Sequence, residues 1–78
     1  MIETPETFAR VFEKWPSRAA LARDLKAVGL PTTDVRVRVW VHRGHVPEDV
    51  LPALAKAARR RGIEGLTLRA LRRLARNP

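Results

Sequence analysis

Gly29-Leu-Pro-Thr-Thr-Asp-Val-Arg-Val-Arg-Val-Trp-Val-His-Arg-Gly-His-Val-Pro47 is the stretch on which the fold of this chain turns. Gly29 and Pro31 punctuate its approach, and Thr32, Thr33 and Asp34 are residue types that start helices. Arg36 and Arg38 then follow where a helix entering a groove presents side chains to base edges. Yet Val35, Val37, Val39 and Val41 alternate with Arg36, Arg38, Trp40 and His42. Taken alone, that period of two is a strand signal, and β-branched valine favours strands. A lone strand needs a partner, which could here only be the same strand of a second chain. On a helix the residues also make sense: Val35, Val39 and Val46, with Val37, Trp40 and Val41 beside them, face the core and leave Arg36, Arg38 and Arg43 reaching outward. The helix is the expected state, with Trp40 as a core anchor.

The flanking segments read as helices. Thr4 and Pro5 suit an N-cap and first helical position, after which Phe8, Val11, Phe12 and Trp15 recur at i, i+3, i+4 and i+7. Pro16 ends this first helix by forcing Trp15 out of the helical region, and Ser17 caps a second with a Leu21, Leu25 and Val28 stripe, closed by Gly29. Pro47, Glu48 and Asp49 read as the first turn of a further helix, their carboxylates at the positive end of its dipole. Leu51, Leu54, Ala55 and Ala58 give that helix an apolar side, and Gly62 a stop. Pro52 implies either a regular helix that begins near Leu51 or a kink. Thr67 caps a last helix in which Leu68, Leu71, Leu74 and Ala75 face inward. Its opposite stripe, Arg69, Arg72, Arg73 and Arg76, has the spacing to track a phosphate backbone.

Charge points to the partner. The net charge is +8, and its distribution says more than its total. Residues 1–35 carry five basic and five acidic groups, whereas residues 36–78 carry eleven basic against three acidic. Such a field attracts nucleic acid or an anionic surface, and nucleic acid is the expected partner.

Seventy-eight residues make one small domain, 1–78, whose core supplies only about 3–5 kcal/mol, so dimerisation or binding would add needed stability. With no cysteine, disulfides and thiolate chemistry are excluded. The N-terminus, Met-Ile-Glu-Thr-Pro-Glu, lacks an apolar leader, and no apolar run approaches the ~18 residues of a membrane span, so no membrane partner and a cytoplasmic location are expected. His42 and His45 have no cysteine or third histidine with which to bind a metal. No catalytic order of nucleophile and base and no phosphate-cradling glycine loop is visible, so neither an enzyme nor a cofactor is expected.

Ser17-Arg-Ala-Ala-Leu-Ala-Arg-Asp-Leu25 resembles the first helix of the helix-turn-helix in small phage-repressor-like (Cro and lambda-repressor-like) regulators. Trp40-Val-His-Arg-Gly-His-Val-Pro47 resembles the W-x-x-R-G-x-I-P ending of their recognition helix, and Ala57-Ala-Arg-Arg-Arg-Gly-Ile-Glu-Gly-Leu-Thr-Leu68 is similar to the downstream segment of short phage-type and alphaproteobacterial members. The likeness covers roughly Phe8 to Leu74, with one departure: the spacing from Leu25 to Trp40 is longer than usual, which places extra residues in helix 2, the turn or the recognition element. The resemblance implies sequence-specific binding of double-stranded DNA by a homodimeric transcriptional regulator, with an element at about 32–43 in the major groove. Thr32, Thr33, Arg36 and Arg38 would then face DNA, and an arginine could make the bidentate contact to guanine. Ser17 and Arg18 would hold a phosphate at a helix N-terminus. His42 and Arg43, with Arg69, Arg72 and Arg73 of the last helix, complete the expected DNA-binding set. The two threonines also have a plain capping role open to them.

The expected fold is therefore all-α, a compact bundle of about five short helices containing a helix-turn-helix. The alternative is a ribbon-helix-helix dimer with residues 34–43 as a strand. A second functional class also stays open, in which a small basic helical adaptor or inhibitor binds another protein through the Phe8, Phe12 and Trp15 face or the last helix.

Overall fold

The computed structural model describes residues 7–76 and is all-α. Five α-helices follow one another: α1 (Phe8–Phe12), α2 (Arg18–Ala27), α3 (Asp34–Arg43), α4 (Leu51–Arg61) and α5 (Leu68–Arg76). A single 3-10 turn, Glu48–Val50, leads into α4. There is no strand among the described residues, so residues 34–43 are helical and the ribbon alternative falls.

Local chemistry sets the helix boundaries. Ser17, Thr33 and Thr67 each accept a hydrogen bond from the backbone N–H three residues on, at 3.0, 3.2 and 3.1 Å. Each cap satisfies one donor that has no partner inside its helix. Thr7 does the same for α1, accepting from Arg10 N–H at 3.3 Å. Thr4 and Pro5, expected to start this helix, lie outside the described residues. The first helix is also shorter than its apolar spacing suggests. It ends at Phe12, and Trp15 reaches the core from the turn that follows, its N–H bonded to the Phe12 carbonyl at 3.2 Å.

At their C-termini α3 and α4 close on glycines in the left-handed region, Gly44 at φ +66° and Gly62 at φ +81°. The following N–H groups fold back to carbonyls five residues earlier, His45 to Trp40 at 3.2 Å and Ile63 to Ala58 at 2.8 Å. These bonds define Schellman ends, where a Cβ would be strained by the backbone alone, since nothing lies within 4 Å of where it would sit. Pro52 falls in the first turn of α4, where its missing N–H has no helical partner to lose. Of the two readings of that proline, the later start after a looser turn is the one observed.

The core gathers one face of every helix. Phe8, Val11, Phe12 and Trp15 meet Leu21 and Leu25 of α2, Val37 and Trp40 of α3, Leu51, Leu54, Ala57 and Ala58 of α4, and Leu71 of α5. Val46, Val50 and Leu66 are buried from the connections. α2 packs on α3 and α4, α4 carries α5, and α1 braces α3.

One polar tie crosses this core's edge. Trp15 Nε1 donates to Asp24 Oδ2 at 2.8 Å, while Arg61 donates through Nε to the same oxygen at 2.6 Å and through Nη2 to Oδ1 at 3.3 Å. The carboxylate thereby joins the corner after α1, the middle of α2 and the end of α4. Hydrogen bonds from Arg61, against a smaller opposing effect of burial and with help from Trp15, hold the Asp24 carboxyl below its ordinary 3.8.

Candidate nucleic-acid interface

α3 is fastened by few residues and presents many. Val37 is fully buried and Trp40 is 7% exposed, with Val41 half-buried beside them. At about 100° per residue these three occupy one arc of the helix. The opposite arc holds Val35, Arg38, Val39, His42 and Arg43, all exposed, with Arg36 at its margin, also exposed. The side chains of Arg36, Arg38, His42 and Arg43 therefore stand in solvent on the element expected to carry them.

Val35 and Val39 do not join the core, contrary to the sequence reading. They are 64% and 41% exposed. The reason is angular: Val35 and Val39 each lie about 160° from Val37 around the helix, so one packed face cannot take all of them. Helical projection of the segment alone separates the two sets, whereas the alternation of valines conceals the separation.

The two threonines before α3 differ. Thr33 is the N-cap, its hydroxyl engaged with Arg36 N–H at 3.2 Å, and its residue is exposed. Thr32 is half-buried, and its Oγ1 is enclosed without a hydrogen-bond partner. It lines a cavity of about 120 Å³ together with Arg36, Trp40 and Asp49. The stretch between α2 and α3 spans positions 28–33, longer than the roughly three to four residues of a tight helix-turn-helix corner. The length of the path from Leu25 to Trp40 is thus taken up largely by the connection, between two helices of ten residues each.

Two further groups of the expected residues lie on other helices, one on α2, which packs on α3, and one on α5, which packs on α4. Ser17 and Arg18 are exposed at the start of α2, the helix on which α3 packs, with the Ser17 hydroxyl committed to Ala20 N–H. On α5, Leu71 is buried and Leu68, Leu74 and Ala75 are half-buried, which turns Arg69, Arg72, Arg73 and Arg76 outward. These four arginines line an open groove of about 560 Å³ with Leu68. Acidic residues are scarce here: α5 has none in its first turn, and α3 carries only Asp34, at its N-terminal end where the helix dipole favours it. Arg61 belongs to neither group. Although it ends the basic run Arg59–Arg61 of α4, its guanidinium is engaged by Asp24.

The apolar face expected to serve a protein partner is absent from the surface. Phe8, Phe12 and Trp15 are buried within the chain, with the two phenylalanine rings 6.4 Å apart. No helix of the described residues is long and apolar enough to cross a membrane. No family model matches the chain, and no curated protein or solved structure matches it either.

Proposed function

We propose that this protein is a sequence-specific binder of double-stranded DNA and acts as a transcriptional regulator, with α2 and α3 as a helix-turn-helix and α3 in the major groove. The observation that carries the reading is the division of α3: two buried residues, Val37 and Trp40, hold a helix whose remaining surface bears Arg36, Arg38, His42 and Arg43. A ten-residue helix of that shape fits the width of the major groove, and arginine is the side chain best suited to the paired acceptors of guanine. Arg36 and Arg38 read bases in this arrangement, His42 and Arg43 follow the groove, and the α2 N-terminus at Ser17 and Arg18 meets a backbone phosphate. Arg69, Arg72 and Arg73 supply sequence-independent attraction along α5. The resemblance of Ser17–Leu25 and Trp40–Pro47 to phage-repressor-like regulators supports the same reading. So does the confinement of the whole charge excess to residues 36–78. A homodimer completes the proposal, since two copies reading two half-sites double the contacts available to a domain this small.

The test is selection of bound sites from random duplex DNA, followed by titration of the enriched and a scrambled duplex across a salt series. Enrichment of a defined motif, tighter binding of it, and a steep salt dependence are expected. Binding that ignores sequence, or a flat salt response, refutes the proposal.

A further inference from the structure

Val35 and Val39 are the large hydrophobic residues left exposed among the described residues, and they lie one turn apart on the same side of α3. Nothing in the chain packs against that pair sufficiently to bury it, and valine is among the poorer helix formers, so neither packing nor propensity accounts for it. The surroundings specify the occupant. Arg38 and His42 flank the pair on one side and Arg36 and Arg43 on the other, all exposed. Three arginines and a histidine around a small apolar centre complement a polyanion that carries an apolar group in its recessed surface. They do not complement an apolar protein face: two valines offer far less than the ~800 Å² per partner that a stable protein interface needs.

Among the groups exposed in the major groove of a duplex, the apolar one is the methyl at C5 of a pyrimidine. Resting on the reading of α3 as the groove-entering helix, we propose that Val35 and Val39 form a methyl-reading pair that makes this protein select a 5-methylpyrimidine within its site. Thymine presents that methyl. So does 5-methylcytosine, at the same ring position. The arginines alongside then read the acceptors of neighbouring bases, so that apolar and charged contacts divide one short site between them.

The experiment uses the full chain and the duplex enriched by selection. Replacing each thymine in turn by deoxyuridine removes the C5 methyl and leaves base pairing intact. At one or two positions per bound copy affinity falls about fourfold, the factor that corresponds to one buried methyl-sized group. Val35→Ser or Val39→Ser lowers affinity for the thymine duplex towards that for its uracil counterpart, so that the penalty disappears at the position which that valine reads, while the salt slope stays the same. At the same positions 5-methylcytosine paired with guanine binds about fourfold more tightly than cytosine paired with guanine, and comparison of that gain with the thymine effect tells the two sources of the methyl apart. Uracil bound as well as thymine at every position, or no gain on methylating cytosine, overturns the inference. Serine variants that change the association state of the free protein while the uracil penalty persists overturn it too, and assign the valines to contact between chains. A wild-type chain that selects no duplex at all refutes the proposed function itself, whereas one that selects a site but ignores its methyls refutes only the methyl pair.

Discussion

Three alanine substitutions within α3 separate residues that hold the helix from residues that it displays. Val37 is fully buried, so Val37→Ala removes two methyl-sized groups from the core at about 0.8 kcal/mol each and leaves a partly collapsed cavity, a loss of about 2–3 kcal/mol. The better helix propensity of alanine returns about 0.5 kcal/mol. A net cost near 2 kcal/mol is roughly half of the ~3–5 kcal/mol available to so small a domain, and corresponds to a fall of about 10 °C in Tm. At Val35 and Val39, 64% and 41% exposed, the methyls already face water to a large extent. The residual burial lost there is about offset by the propensity gained, so both variants stay within about 0.5 kcal/mol of the parent. Thermal and urea unfolding followed by circular dichroism measures all three. A strand would place the alternate positions 35, 37 and 39 on one face and make the three costs alike. Equal destabilisation at 35, 37 and 39 therefore refutes the helical assignment and the exposure on which the interface depends.

Arg36→Ala and Arg38→Ala should each weaken binding of the enriched duplex by about 1–3 kcal/mol and of random DNA far less, with Tm unchanged; equal losses on both would make them phosphate contacts. Replacing both Arg72 and Arg73 by alanine should lower affinity for all sequences alike and reduce the slope of log affinity against log salt by about one for each lost contact, and a loss of selectivity instead would place these residues at bases or between subunits. Because Arg61 and Trp15 hold the Asp24 carboxyl below its ordinary 3.8, its contribution to stability is full well above that value and is lost as pH falls through the lowered one. Asp24→Asn should therefore reduce stability at neutral pH and flatten the acid limb of the stability profile, whereas an unaltered acid limb would mean that the tie contributes nothing.

Much of the architecture was legible from residues that act locally. Ser17, Thr33 and Thr67 announce helix starts because their hydroxyls reach the third N–H onward whatever the rest of the chain does. Gly44 and Gly62 announce ends for a similarly local reason. The outward arginines were legible as well: the α5 arginines lie opposite Leu68, Leu71, Leu74 and Ala75, and Arg36 and Arg38 lie off the face of Val37, Trp40 and Val41, and all of these arginines are exposed. What stayed hidden depends on distant partners. The bond from Arg61 to Asp24 joins residues 37 positions apart, and nothing in either one's neighbourhood marks it. The enclosure of Thr32 likewise depends on how the connection before α3 lies against Pro47 and Val50, which fixes a hydroxyl that looks like a surface group in sequence.

α3 itself explains why the deciding stretch reads both ways. Four of its ten residues are valine, each about 0.5 kcal/mol or more worse than alanine in a helix, a combined deficit near 2 kcal/mol. Propensity alone therefore favours the strand, and the helix must be imposed from outside it. Thr33 and Asp34 act at one end, and Gly44 with the positive charge of Arg43 at the other, each contributing on the order of 0.5–1 kcal/mol. The burial of Val37 and Trp40 against α1 and α2 supplies the rest. An intrinsically weak helix held at its two ends and along one narrow face has the rest of its surface free of structural duty. That freedom leaves Val35, Arg38, Val39 and His42 available to the proposed DNA interface, while the stability of α3 stays tied to the same core that holds the domain together.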